Sequence, residues 1–331
     1  MSAPAAETTR TAPAPRRIRP TNVLALLALP LFAPALAPFV AEAHWALDLL
    51  ACFPVQALMG LWVAALGCAV ARRRRLAALY GAGALAAAAA VVPGFLGAPP
   101  SPTDDGAAPL RLLCLNLQRG AEASAPAAIA AIRAHDPDVL FCSELTPGWL
   151  EALTPALSVY DARCVHADPG YYGTGLFSRL PLRDAANEPL GVDWAPAVRA
   201  VVATPAGELG LLCVHTPRPG NRERGALRDR ALAAIPAALA GLPPARVVFG
   251  DFNATPWNPA FGAMLAAAGL DRGSARTFRP TWPANLPWPL RIPIDHVLVG
   301  GGAALERCAA GAPFGSDHVP LSATVRVPAP H

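Results

Sequence analysis

The sequence predicts a mixed α/β globular domain carried behind three transmembrane helices. Three observations carry this expectation. The 331 residues are 53% hydrophobic and only 15% charged, with mean hydropathy +0.35, too apolar on average for a chain dissolved wholly in water. That excess lies in the first hundred residues, where three apolar runs each reach the ~20 residues a helix needs to cross a hydrocarbon core. From Leu110 onward, short strand-like runs alternate with Ala-rich helix-like stretches, the pattern of a layered domain.

In chain order, residues 1–21 form a basic N-terminus containing Arg10, Arg16, Arg17 and Arg19. The apolar runs cover residues 22–41, 49–71 and 76–96, and together make a three-helix membrane anchor over 22–96. A second arginine cluster, Arg72 to Arg75, separates the last two runs. Cytoplasmic flanks carry the excess of Lys and Arg, so both clusters belong inside. An odd number of spans then gives a multi-pass protein of the cytoplasmic membrane with its C-terminal domain extracytoplasmic. A cleaved signal peptide is the competing reading of the first run, with Ala33, Ala35 and Ala37 offering a processing site. Pro30, Pro34 and Pro38 each remove a backbone hydrogen bond and make this run the least regular. Glu42, His44 and Asp48 are expected at the wet end of a span. Residues 97–109, rich in Pro, Ala, Gly and Asp, read as a linker. Residues 110–327 follow as one domain of roughly 220 residues, enough for a single core.

All 27 basic residues are arginine. From Leu110 onward 19 Arg face 18 Asp plus Glu, a near-neutral balance that counts against bulk affinity for duplex nucleic acid. Of the seven cysteines, Cys52, Cys68, Cys114, Cys142 and Cys213 lie in apolar runs as buried thiols. Cys164 and Cys308 occupy less regular segments and could pair in an oxidising compartment.

The chemistry collects at strand ends. The run 112–117 carries Asn116, 139–142 leads to Glu144, 209–214 leads to His215 and 247–249 leads to Asp251. Helix-like stretches at 125–134 and 227–240 separate some of these strands. Polar groups at the ends of adjacent strands suit a rigid site on a sheet scaffold.

Three strings are more specific: GDFNATPW at 250–257, IDHVLV at 294–299 and GSDHVPL at 315–321. Upstream stand LNL around Asn116, SEL around Glu144, GTGLFSRLPL at 173–182 and HT at His215. In this order and spacing the set resembles the endonuclease/exonuclease/phosphatase superfamily, with its deoxyribonuclease I-like fold, and covers essentially all of the domain. The resemblance implies a four-layer α/β/β/α sandwich and a divalent-metal-dependent hydrolysis of phosphoesters by in-line attack of an activated water. The implied cofactor is Mg²⁺ or Mn²⁺, whose preference for hard oxygen ligands suits Glu144, assisted by Asn116 and Asp317. By the same resemblance Asp251 orients or deprotonates the water, and Asn253 holds the phosphate or the Asp251 carboxylate. His215 donates to a phosphoryl oxygen, and Asp295 hydrogen-bonds His318. Whether Asp251 or His318 is the base stays open. Gln118 and Arg119 stand where some members carry a further acidic or Asn residue, which makes one metal the safer count.

The physical logic agrees with this set. A phosphoester repels a nucleophile, so its hydrolysis calls for a cation, an oriented water and donors at the phosphoryl oxygens. The substrate is expected to be a nucleic acid, a nucleotide or a lipid headgroup, the last favoured by a membrane tether; no protein partner is evident. A membrane sensor or scaffold that keeps the fold without turnover is the alternative from another class. His296, alternating with Asp295, reads as packed on the opposite face, His135 as a helix-end residue, and His166 shows no partner in sequence. Arg218, Arg222, Arg224, Arg228 and Arg230 could line an anionic groove, but the last three lie on a helix and read more simply as a solvated face. Trp257, Trp282 and Trp288 divide between stacking on substrate and loop packing.

Overall fold

The computed structural model describes residues 23, 26–96 and 109–328. The basic N-terminus and nearly all of the expected linker lie outside the described residues. From Leu110 the chain builds two sheets. One has six strands in the order β10-β11-β1-β2-β4-β3, the other five in the order β5-β6-β7-β8-β9. The strands are β1 (Leu110–Asn116), β2 (Val139–Ser143), β3 (Ala162–His166), β4 (Thr174–Ser178), β5 (Leu182–Glu188), β6 (Ala197–Thr204), β7 (Gly207–His215), β8 (Arg246–Asp251), β9 (Asp295–Gly300), β10 (Ala304–Ala310) and β11 (Leu321–Arg326).

Side-chain alternation assigns the layers. Leu112, Cys114, Phe141 and Leu176 of the first sheet meet Val198, Leu211, Val247 and Phe249 of the second in one core between the sheets, with Phe141 edge-on to Phe249 at 5.8 Å. Their neighbours point outward. Leu113, Leu115, Leu140 and Cys142 pack under the helices Ala125–His135 and Pro147–Leu157; Leu212, Val214, Val248 and Leu298 pack under Arg222–Ala238 and Pro259–Ala268. The central strands are thus buried on both faces, so their sequences run almost uniformly apolar. The expected α/β/β/α layering is what the chain forms. Cys164 and Cys308 lie on β3 and β10, the opposite edges of one sheet. Five inter-strand steps of ~4.8 Å separate those edges, and all seven cysteines are free thiols.

The helices in front depart from the sequence expectation. The three are not equivalent spans. The first run is a broken series: a 3₁₀ turn, α1 (Phe32–Leu36) and further 3₁₀ turns to Ala43, because the prolines deny the i→i−4 ladder its donors. Then come α2 (Trp45–Leu50), α3 (Pro54–Val70) and α4 (Arg74–Val91). Among the described residues only one helical stretch, Arg74–Phe95 at 22 residues, is long and apolar enough to cross a membrane; Leu26–Phe39 and Pro54–Val70 fall short. Only 28% of the apolar stretch in Arg74–Phe95 is buried, unlike the core helix of a globular domain. On this antiparallel pair Trp62, Val63, Leu66, Val70 and Leu85 are exposed.

We label the remaining helices α5 (Ala125–His135), α6 (Pro147–Leu157), α7 (Arg222–Ala238) and α8 (Pro259–Ala268). Local sequence explains their ends. Thr146 accepts a hydrogen bond from Trp149 N–H and Asn221 one from Arg224 N–H, so each caps the helix that follows. Asp136 and Gly269 close α5 and α8 in left-handed conformations. His135, at the end of α5, bonds its own helix through Ala131 O.

The helical segment docks on the sandwich. Asp48 of α2 pairs with the guanidinium of Arg228 at 2.8 Å and accepts from Asn258 Nδ2 through both its carbonyl and its carboxylate. Gln56 of α3 donates to the carbonyls of Pro289 and Arg291. Two expectations are corrected here. Asp48 is part of a buried contact instead of a wetted helix end, and Arg228, read as a solvated face, is 0% exposed.

Candidate active site

The site lies where the two sheets deliver their strand ends to the same edge. In the five-stranded sheet, β7 runs parallel to β8 and β9 runs antiparallel, so His215, Asp251 and Asp295 fall on one cross-strand row. In the six-stranded sheet Asn116 stands beside Ser143, one residue before Glu144. The sheets are joined across the cleft by Asn116, whose Nδ2 donates to Asp251 Oδ2 at 3.0 Å. Within the six-stranded side Ser316 donates to the Asn116 carbonyl and accepts from His318 N–H, and His318 makes the second tie across by bonding Asp295.

Two left-handed residues aim the first ring of groups. Glu144 has φ +54° and Asn253 φ +46°. Asn adopts this conformation readily, whereas Glu does so at a cost, and such strain gathers at functional sites. Gly250 takes φ +137°, and a Cβ there would run into the Val214 carbonyl. The glycine of the GDFN string is therefore required by the close approach of β7.

Asp251 accepts from Asn253 N–H at 2.8 Å, while the Asn253 amide itself donates to Thr216 O. Asn253 thus holds the carboxylate through its backbone. His318 Nδ1–H donates to Asp295 at 2.8 Å. The Nε2 atoms of His215 and His318 each stand 3.7 Å from Asp251 Oδ2. Burial raises the Asp251 pKa well above the carboxylate range and repulsion from Asp295 adds to it; the His318 charge and the bond from Asn253 oppose both. Burial alone would lower the His318 pKa, but Asp295 and Asp251 reverse this and lift it to about 10. The two facing carboxylates favour its imidazolium form. His215 is held to about 3, first by burial and then by the charge of His318, so it is neutral, and its ring stacks on Tyr172 at 5.1 Å.

The remaining expected residues line the same cleft of about 660 Å³, which contains Glu144, His215, Asp251, Asn253, Asp317 and His318. Glu144 accepts from Arg119 N–H. Its pKa is raised by burial and by the charge of Asp317, offset in part by the Arg119 bond. Asp317 Oδ2 accepts from Trp282 Nε1, but its Oδ1 is buried without a partner among the described residues. Two carboxylates repelling each other, one with an orphaned oxygen, are a donor set that fits a hard divalent cation. Asp251, Asp295 and His318 form a second group whose ligand atoms lie within 4.8 Å of one another. There the His318–Asp295 hydrogen bond already engages one carboxylate with the imidazole.

Some contributors escaped the sequence reading. Gln118 Oε1 accepts from Asp317 N–H, so the residue in the place of a further expected ligand instead fixes the loop that carries Asp317. Tyr171, Tyr172, Leu49, Cys52 and Phe53 also line the cleft. Only the unusual YY pair next to GTG could have drawn attention to the tyrosines. Of the arginines, Arg218 and Arg224 reach the cleft, and Arg218 lies over the Trp282 ring at 5.7 Å. His296 is packed as expected, bonded to Ala254 O between Phe252 and Phe261.

A profile of the Endonuclease/Exonuclease/phosphatase family matches residues 113–318. The chain belongs to this family. The endonuclease/exonuclease/phosphatase match spans the whole of the site, from β1 to His318. Solved structures agree on the fold. The endonuclease/exonuclease/phosphatase from Bacteroides vulgatus superposes with TM-score 0.56 at 18% identity, covering 66% of this chain and 99% of that one. TDP2 of D. rerio in complex with single strand DNA product gives TM-score 0.54, 18% identity, 66% and 99%. The human Nocturnin catalytic domain with bound sulfate anion gives 0.53, 18%, 66% and 94%. No curated protein sequence matches the chain. Every activity in the family's name breaks a phosphoester.

Proposed function

We propose that this chain is a phosphoester hydrolase dependent on Mg²⁺ or Mn²⁺, working at the surface of a membrane with its catalytic domain on the extracytoplasmic side. The observation that carries the catalytic part is the convergence of Glu144, His215, Asp251, Asp317 and His318 in one cleft, with Asn116 bonded to Asp251 and Asp295 to His318 behind them. A scaffold that had abandoned turnover would have no need to keep each of them.

Glu144 and Asp317 would hold the cation, with Asn116 beside them, and its charge would offset that of the phosphoryl oxygens. Asp251 is the base. His318 has its Nδ1 engaged by Asp295 and its Nε2 turned to Asp251, whereas Asp251 is an acceptor fixed by Asn116 and Asn253. As the water oxygen bonds to phosphorus its proton passes to Asp251. The bond to the leaving oxygen breaks on the opposite side, and that oxygen departs with the electron pair and is protonated from solvent. The N–H groups of His318 and neutral His215 stabilise the charge gathering on the phosphoryl oxygens. Asp295 keeps His318 oriented and charged.

Support for the membrane part comes from the hairpin of α3 and α4. The stretch Arg74–Phe95 is long and apolar enough to cross, with the shorter α3 packed beside it, the outer faces expose apolar side chains, and the tip carries Arg72 to Arg75. Near its base Gln56 and Leu96 both touch the catalytic domain. A cytoplasmic tip puts the domain outside whether or not the first run crosses.

A substrate screen tests the reading. The purified chain is assayed on phosphomonoesters, phosphodiesters, plasmid DNA and liposomes with Mg²⁺, Mn²⁺ or chelator. Hydrolysis of at least one class, abolished by chelator and needing more metal in Glu144→Gln, is expected. Turnover indifferent to chelator would contradict it.

A further inference from the structure

The catalytic cleft has a wall that the family fold does not supply. Leu49, Cys52 and Phe53, from the end of α2 and the turn into α3, line the same cleft as Glu144, Asp251 and His318. Cys52 is buried against Ile292 and Ile294, with Phe53 and Trp282 packed on the same cluster. This wall is aliphatic and aromatic, while the floor a few residues away carries the carboxylates and imidazoles, and Arg218 and Arg224 add positive charge to the lining.

The wall is also fixed in place. The buried Arg228 guanidinium clamps Asp48, directly before Leu49. Asn258 holds Asp48 from the other side, and through its Oδ1 accepts from the backbone and hydroxyl of Thr255, two residues after Asn253. Cys52 Sγ approaches the same Asn258 oxygen at 3.5 Å. Gln56 closes the segment onto the carbonyls of Pro289 and Arg291, beside Ile292. The helical segment is thus tied to α7 through Arg228 and to the loops beside the site through Asn258 and the Pro289–Arg291 carbonyls.

We infer that Leu49, Cys52 and Phe53, with Ile292 and Ile294, form a subsite for a hydrocarbon group carried by the substrate, so that the enzyme selects phosphoesters with an alkyl or acyl chain. Charge complementarity supplies half of the case: an anionic phosphoryl group suits the arginines and His318, and a chain-bearing substituent suits the wall next to it. Continuity supplies the other half, because Phe53 leads straight into α3, whose exposed face is itself apolar. A nucleobase is the competing occupant. The observations favour hydrocarbon, since Arg218 already covers a face of Trp282 and Arg119 one of Tyr171, and the wall is otherwise mainly aliphatic.

This inference rests on the proposed phosphoesterase reading, and its test separates the two. The full-length chain in non-ionic detergent is given p-nitrophenyl methyl phosphate, p-nitrophenyl octyl phosphate below its micellar concentration, and thymidine 5′-(p-nitrophenyl) phosphate. The octyl ester should exceed the methyl ester in kcat/KM by about tenfold or more, the scale at which apolar pockets discriminate. Phe53→Ser and Leu49→Ser should each shrink that ratio. Equal rates on the two esters, a ratio unmoved by both variants, a parallel loss on both esters, or preference for the thymidine ester would each overturn the subsite. Calorimetry with octylphosphonate and methylphosphonate reads the subsite without turnover. Tighter binding of octylphosphonate with no hydrolysis of any ester would sustain the subsite and sink the phosphoesterase; equal affinities would sink the subsite.

Discussion

Asp251 Oδ2 is the atom on which the site is centred, bonded to Asn116 and approached by two imidazoles of opposite character. The residues around it show how burial divides histidine chemistry. His318 is charged because two carboxylates face it, whereas His296, one position from Asp295 and turned to the other face, has its pKa pushed down to about 4, chiefly by burial. Below pH 6.5 an unfolded chain takes up a proton that native His296 refuses until about pH 4, so its contribution to stability falls as pH drops through that window. The imidazole resonances of His296 should accordingly show no titration between pH 5 and 8 in NMR, and a midpoint near 6.5 would show that the ring is not sealed as described. At this scale much was legible. Asp251 announces itself because it ends an apolar strand, whereas Asp295 and His318 are found through the strings IDHVLV and GSDHVPL and the family resemblance they carry. Arg228 and Asp48 did not, since a buried ion pair between positions 180 residues apart leaves no local pattern, and an arginine on an Ala-rich helix looks the same whether it meets water or a partner.

At the scale of elements, β8 and its neighbour β7 set the geometry. Their approach leaves no room for a side chain at Gly250, whose φ of +137° is in any case open to little but glycine. Gly250→Ala should therefore cost about 1–3 kcal/mol and lower the thermal midpoint. An unchanged midpoint would mean that the strands can part without penalty. The mixed α and β character could be anticipated from short apolar strands and helix-like runs, while the two facing sheets were implied only by the family resemblance. The broken first helix could be anticipated only in part: its prolines were visible, but three runs of similar apolarity still suggested three like spans. Hydropathy measures composition, while the chain's path depends on which backbone donors the prolines remove. The role of the α2–α3 turn as a cleft wall was invisible, because a membrane-type sequence gives no sign that its end packs on a distant loop.

For the whole molecule, the hairpin and the sandwich act as one unit. Asp48, Gln56 and the Asn258 loop link the apolar helices to the edge that carries the site. An alkaline phosphatase fused after Val327 should be active and a fluorescent protein fused there dark, as expected of an exported C-terminus. Cytoplasmic fluorescence would contradict the orientation while leaving the chemistry untouched. The chemistry has its own test, the hydrolysis of bis(p-nitrophenyl) phosphate by the purified chain with Mg²⁺ or Mn²⁺, compared between wild type and Asp251→Asn. A metal-dependent rate that falls by about 10²–10⁴-fold in the variant is predicted, and an undiminished rate in Asp251→Asn would contradict the account.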